Sequence, residues 1–85
     1  MYIVVKHNIS NPTKFWETAQ AVIPTLPKDV KVHSTLPNRD GSHAVCVWEA
    51  SSIDAVKKII EPSIGQISKN EYFEVDTLKA IGLPK

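Results

Sequence analysis

Two strand–helix–strand patterns joined by the tight turn Asn38-Arg39-Asp40-Gly41 leave this chain few folds to choose from. Tyr2 to Ile9 alternates and is rich in β-branched residues, with Ile3, Val5, His7 and Ile9 on one face and Tyr2, Val4, Lys6 and Asn8 on the other. Asn11-Pro12 starts a helix: the Asn side chain caps free N–H groups, and Pro loses nothing at the first helical position. Phe15, Trp16, Ala19, Val22 and Ile23 then form an apolar stripe that Pro24 ends. Val30 to Leu36 alternates again. Asp40-Gly41 supplies the positive φ of a hairpin, and a strand returns from Ser42 to Ala50. Ser51, with Asp54 three residues on, opens a second helix whose stripe is Ile53, Val56, Ile59 and Ile60, and which closes around Pro62 and Gly65. Glu71 to Asp76 is the last strand.

This order predicts a ferredoxin-like α+β fold, βαββαβ, with an antiparallel four-stranded sheet in the order 4-1-3-2. Right-handed crossovers put both helices on one face. The expected helix side is Ile3, Val5, Ile9, Val30, Val32, Leu36, Val45, Val47, Phe73 and Val75. The expected open side carries Tyr2, Val4, Lys6, His33, Ala44, Cys46, Trp48, Tyr72 and Glu74. That set is too aromatic to stand in water as one patch, so the open face should pair with a second copy. The alternative cover is the tail, Thr77 to Lys85, which has room for a short helical turn before Gly82.

At 85 residues the chain supports one domain, residues 1–85, with a core so small that an oligomer interface would help. Ten basic and nine acidic residues nearly cancel, which argues against nucleic acid or an anionic membrane as partner. The apolar run Ile3-Val4-Val5 is too short for a signal peptide or a membrane span. The single cysteine precludes an internal disulfide and suits a reducing cytoplasm.

The pattern resembles the dimeric α+β barrel superfamily, in which two ferredoxin-like sheets pack face to face. Within it the chain is similar to small bacterial members of unassigned activity. The residues that carry the resemblance are the strand Ala44-Val45-Cys46-Val47-Trp48-Glu49-Ala50, the capped helix after it and the closing Tyr72-Phe73-Glu74-Val75. The superfamily spans cofactor-free monooxygenases, haem-degrading enzymes, isomerases, stress proteins and nickel binders, so the resemblance implies a fold and a homodimer without choosing a chemistry.

Candidate chemistry therefore rests on single residues. His33, Cys46, Trp48, Tyr72 and Glu74 are expected to share a small-molecule pocket on the open face, with His33 as base or hydrogen-bond donor and Trp48 stacking on an apolar or aromatic ligand. The plainer reading is a dimer interface in which the rings only pack. His7 is a second candidate base for a cofactor-free monooxygenase or isomerase. His7 and His43, both expected on the helix-side face of neighbouring antiparallel strands, are candidates for nickel or zinc, as in a metal-binding stress protein, but no His-x-His or Cys-x-x-Cys spacing supports them. Cys46, between two valines, reads as an inert buried thiol. Glu49 and Glu61 read as solvated carboxylates. No Gly-rich phosphate loop and no G-x-S-x-G elbow is present, and no cofactor is implied.

Overall fold

The computed structural model describes residues 1–84. Its elements are β1 (Tyr2–Ile9), α1 (Pro12–Val22) with a 3₁₀ turn (Ile23–Thr25), β2 (Lys31–Pro37), β3 (His43–Glu49), α2 (Ile53–Ile64) and β4 (Ser68–Glu74). The four strands form one antiparallel sheet in the order β2-β3-β1-β4, as the hydrophobic pattern requires. Asn11 caps α1 by accepting from the Lys14 N–H, and Pro12 holds the first helical position. Ser52, one residue beyond the expected Ser51, caps α2 by accepting from Ala55 N–H. Pro62 lies inside α2, which runs one more turn to Ile64.

The core lies between the helices and one face of the sheet. Ile3, Val5 and Ile9 of β1 meet Phe15 of α1 and Val56, Ile60 and Ile64 of α2. The β1 assignment thus agrees with its alternation. The assignments for β3 and β4 do not.

Ile3 pairs with Trp48, Val5 with Cys46 and His7 with Ala44, so Ala44, Cys46 and Trp48 lie under the helices and are buried. Val45 and Val47 occupy the open face instead. Every residue of Ala44–Trp48 is apolar, so alternation could not tell the two faces of β3 apart. Leu36 does share a face with Val45, but it is the open face, and Leu36 is 61% exposed. A bulge between Val32 and Ser34 then turns Val32 toward the helices beside Trp48.

β4 begins at Ser68, earlier than expected, and pairs Val5 with Tyr72 and Val4 with Phe73. Tyr72 therefore faces the helices, while Phe73 is open and 47% exposed. Glu74 pairs with Ile3 at the exposed end of the strand, and Val75 falls beyond it. Of the three rings expected on the open face, only Tyr2 is there. The tail returns to that corner, where the Tyr2 hydroxyl donates to Pro84 O at 3.1 Å. Leu78 and Ile81 of the tail are almost fully exposed. Lys85 lies outside the described residues.

Candidate functional site

The register divides the residues expected to share a pocket between the two faces. His33 sits on the open face, where its Nε2 meets Glu49 Oε1 at 2.8 Å and its ring lies 5.6 Å from the Tyr2 ring. That hydrogen bond is the main reason Glu49 titrates below the usual carboxylate range. No cavity joins His33 to Trp48 or Cys46, because the sheet itself lies between them. The expected His33–Trp48–Cys46 neighbourhood is therefore corrected: a strand face inverted in the sequence reading separates its members.

His43 is displaced in the same way. It pairs with Asn8 on β1, one residue out of step with His7, so the two imidazoles face opposite sides of the sheet. His43 is exposed beside the turn and contacts Ser42. Among the described residues, no three His, Cys, Asp or Glu side chains gather as metal ligands.

Polar groups converge instead beneath the helices. His7 is 3% exposed, in the floor of a cleft between the sheet, α1 and α2. Its Nε2 lies 3.2 Å from Cys46 Sγ and its Nδ1 2.6 Å from Asn70 Oδ1. Asn70 Nδ2 donates to Glu61 Oε2 at 2.9 Å and to Ser68 O, and the Tyr72 and Ser68 hydroxyls donate to Glu61 and Asn70. A chain of hydrogen bonds thus runs from Glu61 at the surface through Asn70 and His7 to Cys46.

The direction of that chain follows from its outer end. A carboxylate only accepts, so Asn70 must turn its amide nitrogen to Glu61 and its carbonyl oxygen to His7. His7 then carries its proton on Nδ1, which leaves the Nε2 lone pair facing the Cys46 thiol. Burial holds the imidazole below its ordinary 6.5, although Asn70 and the Glu61 charge pull upward. Burial pushes the Cys46 thiol up to about 11, outweighing the smaller opposing pull of the Thr35 and Trp48 side chains beside it. The resting pair is a neutral imidazole and a neutral thiol. Tyr72 is pushed up by burial and by its bond to Glu61, so it stays a donor.

The cleft above this pair is walled by Phe15, Ala19, Val22 and Ile23 from the α1 side and Ile59 and Ile60 from α2. Its walls are nearly all apolar. A volume of about 40 Å³ is open in it, enough for roughly three waters or a small molecular fragment. Trp48 also lines it, and the buried Trp48 Nε1–H has no hydrogen-bond partner.

Sequence reading missed Asn70 and took Glu61 for a solvated carboxylate. The available signal was the spacing Ser68, Asn70, Tyr72, which puts three polar groups on one face of a strand. In comparisons with known proteins, no family model, no curated protein and no solved structure matches this chain.

Proposed function

We propose that this protein binds a small apolar molecule, or the apolar end of a larger one, in the cleft between its helices and its sheet. One observation carries the reading: an unfilled apolar cleft sits directly over buried polar atoms, one of them an orphaned donor. Leaving about 40 Å³ empty costs on the order of 1 kcal/mol. Leaving a buried N–H unpaired costs about 1–3 kcal/mol more. A domain of 85 residues has a total stability of only about 4–13 kcal/mol. A core selected for packing alone would have filled the space or removed the donor.

The ligand is compact, because the cleft is far below the roughly 300–1,000 Å³ of pockets for drug-sized molecules. Xenon, an apolar atom small enough for the cleft, is a suitable probe. Titrated into the protein, it should shift the amide resonances of Thr18, Ala19, Ile59 and Ser63 saturably, and Ala19→Phe, which fills the cleft, should abolish those shifts. Shifts scattered over the surface, or none, would overturn the reading.

We also propose that the protein is a homodimer of the dimeric α+β barrel kind, closed through the open sheet face. Leu36, Val45 and Phe73 are exposed there, beside the half-buried Val4 and Val47. Lys6 and Glu71 are cross-strand neighbours on the same face, so a second copy related by a two-fold axis can set each against its opposite charge. Leu78 and Ile81 are almost fully exposed among the described residues, and a second copy would offer them a surface.

A further inference from the structure

The cleft reading explains an empty space but not the ordered polar chain beneath it. We infer that Cys46 is a nucleophile toward short-chain activated esters and thioesters that enter the cleft, with His7 as its general base and Asn70 as a positioning residue. This rests on the cleft being a binding site. Three side chains on three strands meet in the required order: Sγ to Nε2 at 3.2 Å and Nδ1 to the Asn carbonyl at 2.6 Å. Cysteine proteases of the papain type use the same Cys-His-Asn order of contacts on an unrelated fold.

The remaining parts of such a site are also in place. The sulfur and His7 both line the cleft, so an acyl group lying in it rests against the nucleophile and its base. Trp48 also lines the cleft, and its buried Nε1–H completes no hydrogen bond among the described residues, which leaves it for an oxygen that gains negative charge. The small volume and apolar walls select a short aliphatic acyl chain such as acetyl or propionyl.

The chemistry balances without any further reactant than water. Cys46 Sγ attacks the carbonyl carbon as its proton passes to His7 Nε2. The tetrahedral intermediate collapses, the C–O or C–S bond to the leaving group breaks, and His7 returns the proton to the departing alkoxide or thiolate. An acyl-thioester on Cys46 remains. Water entering through the mouth of the cleft attacks it, His7 takes the water proton and delivers it to Sγ, and the carboxylic acid leaves. His7 keeps its Nδ1 proton throughout because Asn70, anchored by Glu61, accepts from that nitrogen.

The test uses p-nitrophenyl acetate and reads both nitrophenolate release and the acetylated residue by peptide mass spectrometry. One acetyl group per chain should appear on Cys46 in a burst, followed by slower turnover. Cys46→Ala should remove both. His7→Gln should slow acetylation by about 100-fold or more, and Asn70→Ala should lower kcat while KM stays level.

A variant that fails to fold does not protect the idea, because the wild-type pH profile decides as well. A general base gives an acetylation rate that is level from alkaline pH down to the His7 pKa and falls below it. Unassisted thiolate attack instead rises about tenfold per pH unit up to the high pKa of the thiol. The second profile, or acetylation confined to surface lysines, would overturn the inference. If xenon still binds in that case, the cleft reading stands and only the nucleophile falls. If xenon does not bind either, both fall.

Discussion

His7 is a buried histidine whose surroundings decide its charge. In β1 it takes the position of an apolar residue, between Val5 and Ile9, and it is as buried as they are. Its neighbours supply Cys46 from β3, Asn70 from β4 and the Glu61 charge from α2, while α1 offers only the edge of Phe15. Desolvation outweighs the helpful charge, so the native imidazole titrates below 6.5 and the unfolded one near it. Between those two values the unfolded state binds more protons. The stability from keeping His7 neutral is therefore complete above pH 6.5 and is lost as pH falls through the lowered native value. Urea midpoints measured from pH 7.5 to 5 should fall, and the decline should be markedly shallower in His7→Gln. A wild-type midpoint that holds constant over this range would contradict the assignment.

At the scale of elements, the turn between β2 and β3 was the most legible part of the chain. Gly41 has φ +77°, the left-handed backbone that the Asp40-Gly41 pair implied. Asp40 supports the turn by accepting from Ser42 N–H at 2.9 Å, and the Ser42 side chain, with this N–H second, holds its carboxyl below the ordinary range. A Cβ added at Gly41 would lie 2.9 Å from the Cβ of Pro12, so the turn is also packed against the start of α1. Gly41→Val should therefore cost about 2 kcal/mol, read as a lower urea midpoint at unchanged slope. No change would mean the turn can relax into another type. The bulge beyond it was not legible. Nothing in Val32-His33-Ser34 announces an extra residue, yet it decides that Val32 packs beside Trp48 and that His33 meets Glu49 on the other side.

For the whole molecule, the open face is the feature that a single chain does not resolve. The tail touches it at the Tyr2 corner, through Pro84, and leaves Leu36, Val45 and Phe73 substantially exposed. Phe73→Lys with Val45→Lys should yield a monomer that remains folded, because both side chains are already partly solvated in one chain. Sedimentation velocity reads the result. A wild-type protein that sediments at the 9.4 kDa mass of one chain at micromolar concentration would end the dimer proposal.

The sequence alone determined the element order, the α1 cap, the hairpin turn and the strand order, because each follows from local chemistry: an Asn-Pro pair, an Asp-Gly pair, a change of period from two to nearly four. It also placed Ile3, Val5 and Ile9 correctly, since β1 carries a real difference between its faces. Only the tertiary structure decided which side of β3 and β4 meets the helices. Ala44-Val45-Cys46-Val47-Trp48 is apolar on both sides, and Tyr72 and Phe73 are both aromatic, so periodicity carries no sign there. That sign comes from pairing with β1, between residues about 40 and 70 positions apart in the chain, where a shift of one residue exchanges the two faces. The same long-range register brings Cys46, His7 and Asn70 into contact.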